Sequence, residues 1–267
     1  MEIILTPPSN PVAFEIFNMH IRWYGIILSI SIFLGIFLIN KLLYLRYTHI
    51  ESDFFIDCAP FFVLFSVIGA RLFYIYGEKE FYFNNPLEIL MINHGGLSIW
   101  GAIIFGIASV AFYSFKKNVN SFKILDTIAV VMPLCQALGR WGNFFNQEAY
   151  GKPSSFFIKM YISKSNRIEG YSSFDYFHPT FLYESILDLI IFFVLLKLFL
   201  KSKEYKISTF FWLYLILYSL VRIIVESCRI DSILNIATIP VAQLISLIVL
   251  FISITVLFFM YKKRGFD

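Results

Sequence analysis

The residues best equipped for chemistry lie in one stretch, Leu138-Gly-Arg-Trp-Gly-Asn-Phe-Phe-Asn-Gln-Glu-Ala-Tyr-Gly151. Arg140 offers a planar fork of donors that matches a phosphate, while Asn143 and Asn146 each present a donor and an acceptor. Gly139, Gly142 and Gly151 permit turns and close approach of a backbone to a ligand. A long apolar run ends near Leu138, and a helix that only had to cross a bilayer would not stop on so many hydrogen-bonding side chains. The stretch therefore predicts an anion site at the edge of a membrane. The competing reading is glycine-mediated helix packing with Arg140 as a headgroup-level anchor.

Other ionisable residues sit at similar depth. Arg222, Glu226 and Arg229 are spaced four and three apart and share one helix face. Glu226 could hold either arginine and leave the other for substrate, or all three could form a structural ion pair between helices. Arg71 lies inside an apolar run and needs a partner, for which Tyr74, Glu226 or a lipid phosphate would serve. His94 precedes a Gly-Gly turn at a helix start, where an imidazole suits either a proton acceptor or a hydrogen-bonding rim residue. His178-Pro179 reads as a helix start. Glu184 and Asp188 then share a face, need interior partners and are expected to support the site from behind. Asp126 is expected to serve structure, at a helix N-terminus or beside Lys123.

The elements that must position these residues are membrane spans. Of the 267 residues 58% are hydrophobic and only 15% charged, against about 25% in an ordinary soluble domain. The apolar runs predict an all-α polytopic integral membrane protein with seven transmembrane helices. These cover about 24–39, 56–76, a third ending near 115, 124–138, a fifth from His178 to about 200, 209–225 and 240–261. A surface helix is expected around Pro86 to Met91. The polar segment 147–177 is expected to form a small extracytoplasmic head within a single membrane-embedded catalytic domain, 1–267. Basic residues test the count. Twelve fall on the side that includes Lys41, Lys116, Lys201 and Lys262, in short segments; eight fall on the other, four of them in one long loop. The positive-inside bias then puts the C-terminus in the cytoplasm and the N-terminus outside. In that orientation His94, Arg140, His178 and Arg229 gather at the outer leaflet, with Tyr24, Arg71 and Arg222 a few turns away.

Several chemistries are excluded or unsupported. There is no His-Glu-x-x-His, P-loop or dinucleotide fingerprint, and no metal-spaced cluster, so no cofactor is expected. Cys58, Cys135 and Cys228 stand singly as small buried residues. The net charge of +4 is mostly the cytoplasmic anchoring set, which argues against nucleic acid. Met1 to Pro11 lacks the basic n-region of a secretory signal. A transporter would need repeated, broken helices, and no repeat is visible.

Five blocks, in order across nearly the whole chain, resemble the bacterial prolipoprotein diacylglyceryl transferase family. They are Ile21-Arg-Trp-Tyr-Gly25, His94-Gly-Gly-Leu97 with Gly101, Gly139-Arg-Trp-Gly-Asn-Phe-Phe-Asn-Gln-Glu148, His178-Pro-Thr-Phe-Leu-Tyr-Glu184 and Arg222-x-x-x-Glu226-x-x-Arg229. The resemblance implies transfer of a diacylglyceryl group from phosphatidylglycerol to the lipobox cysteine of a preprolipoprotein in the bacterial cytoplasmic membrane. It implies Arg140 and Arg222 as the essential arginines, His94 as the essential histidine and Tyr24 as the important tyrosine. Asn143, Asn146 and Gly151 belong to its signature site, and Glu226 and Arg229 to its last polar block. Two positions depart from the pattern: Ala242 stands before Gln243 where glycine is expected, and Cys135-Gln136 replaces a plainer apolar pair.

Overall fold

A computed structural model describes residues 2–16, 19–91, 95–201, 205–231, 235–236 and 239–262. Its long elements are helical: α1 (Trp23–Arg46), α2 (Phe54–Gly77), α4 (Ile99–Lys116), α5 (Ser121–Asn146), α6 (Thr180–Lys201), α7 (Thr209–Glu226) and α8 (Val241–Lys262), with a short α3 (Lys79–Asn84) after α2. Six of these, all but α3 and α6, are long and apolar enough to cross a membrane. Helix α6 has comparable length but carries Glu184, Asp188, Lys197 and Lys201. Phe33, Phe37 and Phe251 stand exposed on α1 and α8, as on helices that face lipid.

The chain divides into two compact units, one of residues 1–35 with 128–267 and one of residues 36–127. In the second, α2 packs along α4 at two facing glycines. A Cβ on Gly69 would lie 2.6 Å from the Gly101 carbonyl oxygen, and one on Gly101 would lie 2.1 Å from that of Gly69, so the backbones touch as small-residue helix crossings do. Asn40 fixes the turn into α2, donating to the Ser52 carbonyl at 2.7 Å and accepting from the Phe55 N–H at 3.0 Å. The expected surface helix is present as a 3-10 turn, Pro86–Leu90, where proline supplies the first-turn φ.

The first unit holds α6, α7 and α8, residues 23–35 of α1, residues 128–146 of α5, and a small β region. Strand β1 (Ile3–Leu5) runs parallel to β4 (Ile158–Tyr161), which pairs antiparallel with β5 (Tyr176–Phe177). Strands β2 (Val12–Ile16) and β3 (Met19–Arg22) form a separate antiparallel pair before α1. A short pair, β6 (Asn235–Ile236) and β7 (Ile239–Pro240), precedes α8. Tyr150, Met160, Ile162, Phe177 and Phe181 bury one another beneath the first sheet. The apolar residues of the polar-looking 147–177 segment thus have a core of their own.

Helix α5 corrects one expectation. The end near Leu138 does not occur; the helix continues two turns to Asn146. Arg140 pairs with Glu184 on α6, and Asn143 and Asn146 pair with Glu148 just past the helix end, through side chains that leave the helical backbone intact. The helix ends instead where Gln147 turns left-handed at φ 55° and the Glu148 N–H donates to the Asn143 carbonyl at 3.0 Å, a Schellman closure.

Candidate active site

Helices α5, α6 and α7 bring four charged residues together in the first unit. Glu184, buried on α6, accepts from Arg140 Nη2 at 2.6 Å and from Arg222 Nη1 at 3.2 Å through each of its oxygens. Arg222 Nη2 donates to Glu226 Oε2 at 2.5 Å, one turn along α7. Arg140 also reaches the Tyr218 hydroxyl at 3.4 Å. Both guanidinium side chains keep part of their surface, 21% and 15%, whereas Glu184 keeps 2% and Glu226 4%. The carboxylates are therefore the buried holders and the arginines the partly open faces. Arg140 Nε is buried with no hydrogen-bond partner among the described residues.

The signature asparagines converge on one carboxylate. Asn143 Nδ2 donates to Glu148 Oε1 at 2.8 Å and Asn146 Nδ2 to the same oxygen at 3.3 Å. That fixes each amide's orientation and turns its carbonyl oxygen away from Glu148. Asn146 Oδ1 is buried without a partner among the described residues, an acceptor suited to a hydroxyl group.

Two glycines are dictated by contacts. A Cβ on Gly142 would stand 2.3 Å from Tyr24 Cδ2, so the Tyr24 ring at the start of α1 rests on the α5 backbone. A Cβ on Gly151 would meet the Cys228 carbonyl oxygen at 2.8 Å and His178 Cβ at 2.9 Å. Gly151 N–H donates to the His178 carbonyl at 2.9 Å and its backbone bridges that of Arg229. Arg229 itself is held bidentately by Asp231, at 2.8 and 2.6 Å. Glu226 thus takes Arg222, and Asp231 takes Arg229.

Arg71 belongs to the second unit. Its guanidinium donates to the carbonyls of Ile89 at 3.1 Å, Gly95 at 2.6 Å, Gly96 at 3.0 Å and Met91 at 3.3 Å, and also to that of Glu88. All its nitrogens are occupied by one loop, and its charge lies 5.2 Å from the Tyr82 ring centroid. Gly95 and Gly96 take φ of 87° and 77°, the turn expected before α4. His94 lies outside the described residues.

Nothing in the sequence pattern marks Tyr218 or Asp231. Tyr218 stands four residues before Arg222 and looks like one more apolar-face aromatic. Asp231 stands two residues past Arg229 in a turn whose geometry no periodicity reveals. Glu184 lies behind the two arginines as a shared, buried acceptor.

Fold and site define a polytopic helical membrane protein whose helices carry a half-buried arginine–carboxylate cluster. Residues 11–259 match the family model for prolipoprotein diacylglyceryl transferase. The chain is 37% identical over 270 residues to the phosphatidylglycerol–prolipoprotein diacylglyceryl transferase of Staphylococcus haemolyticus (strain JCSC1435), covering 96% of this chain and 93% of that one. It is 38% identical over 260 residues to the proteins of the same name in Staphylococcus aureus strains MSSA476 and MW2, covering 97% of this chain and 91% of theirs. The chain belongs to the prolipoprotein diacylglyceryl transferase family and is a membrane-embedded transferase.

Proposed function

We propose that the protein transfers the sn-1,2-diacylglyceryl group of phosphatidylglycerol to the lipobox cysteine thiol of a preprolipoprotein in the bacterial cytoplasmic membrane. The carbon–sulfur bond forms as the glyceryl C–O bond breaks, giving a thioether and sn-glycerol 1-phosphate. The observation that carries this reading is the pair of partly open arginines, Arg140 and Arg222, held side by side on Glu184. A phosphodiester gains negative charge at one oxygen as it becomes a monoester, and preorganised guanidinium forks lower the energy of that charge.

In this reading Arg140 and Arg222 clamp the phosphate, while Asn143 and Asn146 orient the glycerol through their remaining oxygens. Tyr24 walls the site over Gly142. Gly151 and Arg229 shape its far edge, and Glu226 keeps Arg222 pointed at the phosphate. Arg71 acts by shaping the loop that leads to His94. The attacking thiol has an ordinary pKa near 8.5, so a base is needed at neutral pH, and His94 is that base. Helix α6 is the seventh span: its carboxylates face the arginines rather than lipid. The N-terminus lies outside, the C-terminus in the cytoplasm, and the β region forms the extracytoplasmic head over a site near the outer leaflet.

Purified protein in liposomes with phosphatidylglycerol and a lipobox peptide tests the proposal. A diacylglyceryl mass gain on the peptide cysteine with equimolar glycerol phosphate release, both abolished by Arg140→Ala and by a Cys-to-Ser peptide, is the expected result. Phospholipid binding with neither product overturns it and leaves a lipid-binding membrane protein.

A further inference from the structure

One glycine of the signature stretch stands open. Gly139 lies inside α5, and a Cβ built on it would meet nothing within 4 Å among the described residues. Other positions on the same helix are covered. Gly142 carries the Tyr24 ring, and Cys135 Sγ lies where a Cβ on Gly35 of α1 would stand only 2.8 Å away. Cys135 and Gly142 are two turns apart, so α1 covers one stripe of α5. Ala137, Arg140 and Trp141 mark a second stripe, which faces α6. Arg140 meets Glu184 there, the Ala137 carbonyl accepts from Ser185 Oγ at 2.9 Å, and the Trp141 and Phe181 ring centroids lie 5.4 Å apart. Gly139 and Asn143, four residues apart, form the strip between the two.

The fold does not call for this glycine. Inside a helix glycine is less stable than alanine, and none of the described residues comes close enough to Gly139 to exclude a methyl group. Its place does fit the donor. In the proposed orientation the C-terminal end of α5 is the outer one. A phospholipid of the outer leaflet runs inward from headgroup to phosphate to glyceryl carbons to acyl chains. Following α5 in the same direction gives Asn146 and Asn143, then Arg140, then Gly139. Gly139 lies about 6 Å deeper than Asn143 along the axis, a step that spans the phosphodiester between a headgroup hydroxyl and the glyceryl carbon.

We propose that Gly139 seats the glyceryl carbon whose C–O bond breaks, its bare backbone letting that carbon lie against α5 beside the phosphate on Arg140. An in-line displacement needs room on both sides of the carbon. The leaving oxygen occupies one side, and the attacking sulfur approaches to about 3–3.5 Å on the other. The sulfur electron pair forms the C–S bond, the C–O pair leaves on the phosphate oxygen, and the thiol proton goes to the base. A methyl group on residue 139 lifts the carbon by on the order of 1 Å and leaves the phosphate and headgroup contacts in place. A misplacement of that size costs about 100-fold in rate. Gly139 is thus a positioning residue for the donor. This inference rests on the phospholipid-donor reading above.

The test is Gly139→Ala, with Gly139→Leu beside it. Melting temperature in detergent reports the fold, native mass spectrometry reports phosphatidylglycerol retention, and transfer to a lipobox peptide gives kcat and KM. For G139A we expect a melting temperature at or above that of wild type, donor retention within about threefold, and kcat down about 100-fold. G139L should have a kcat lower still. A glycine needed only for packing would instead lower the melting temperature along with activity. Wild-type kcat in G139A, a melting temperature below wild type in G139A, or loss of donor retention in G139A each overturns the proposal. Failure of wild-type protein to modify the peptide at all would instead overturn the donor reading, leaving the melting temperatures to stand by themselves.

Discussion

Replacing Glu184 with Gln isolates the charge that organises the site. Glu184 is the shared acceptor of Arg140 at 2.6 Å and Arg222 at 3.2 Å, and it keeps only 2% of its side-chain surface. Two opposite charges about 4 Å apart interact by about 4 kcal/mol at an effective dielectric of 20, and breaking a buried pair costs about 3–5 kcal/mol. Gln retains one acceptor oxygen, so the loss falls at the low end, about 3 kcal/mol of arginine positioning. If that positioning is realised in the transition state, kcat drops about 100-fold, since about 1.4 kcal/mol is a factor of ten. Donor binding should move the other way. The cluster passes from two cations and two anions to two cations and one anion, and so attracts an anionic headgroup at least as well as before. Transfer kinetics on a lipobox peptide, with phosphatidylglycerol retention measured separately, give both numbers. An E184Q protein with kcat within threefold of wild type would refute the role of Glu184, and one that loses donor retention together with kcat would refute the charge count.

Two further outcomes follow from the same geometry, and a third from the proposed base. Gly142→Ala puts a methyl group 2.3 Å from the Tyr24 ring. Overpacking should cost about 1–3 kcal/mol, lowering the melting temperature in detergent and reducing turnover about tenfold; unchanged values of both refute the contact. Asn146→Asp replaces a donor to Glu148 Oε1 with a second carboxylate. The neighbouring charge raises the new group's pKa above the ordinary value, so activity should fall at neutral pH and partly return as pH drops and one proton is shared; a flat ratio to wild type across pH argues against it. For His94, wild-type turnover should decline toward acid pH, where a histidine base takes up a proton and is lost. His94→Gln should lower turnover about 100-fold or more and remove that acidic limb, and a limb that survives the substitution assigns the base elsewhere.

Much of this protein is legible in its residues because a bilayer leaves few choices. A run of some 20 apolar residues has no stable form in lipid other than a helix, so the long helices were readable to within a few residues at most ends. Family membership was readable too, in five short blocks of unlike chemistry in a fixed order. Two ends depart, that of α1, which runs on to Arg46 instead of stopping near residue 39, and that of α5, which is the instructive one. Glycines and polar side chains between 139 and 146 look like a helix stop when each is judged by local preference. They remain helical because Arg140 finds Glu184 on α6 and Gly142 receives Tyr24 from α1, partners 44 and 118 residues away in sequence. Local preference is a weak term beside such contacts.

What the sequence by itself determined is therefore the class: a polytopic membrane transferase, with Arg140, Asn143, Asn146, Arg222 and Glu226 singled out by type and spacing. Only the tertiary structure decided who holds whom. Periodicity places a residue on a face of its own helix and says nothing of which face of another helix meets it. That Glu184 joins Arg140 to Arg222 is a pairing between three helices, while Glu148 gathers both asparagines and Asp231 takes Arg229 through the turns that close α5 and follow α7. The same limit hid the sheet of β1, β4 and β5, whose first strand lies more than 150 residues from its partner. In each case the pairing is settled by desolvation: a polar group drawn out of water must meet its complement where the packing of helices puts one.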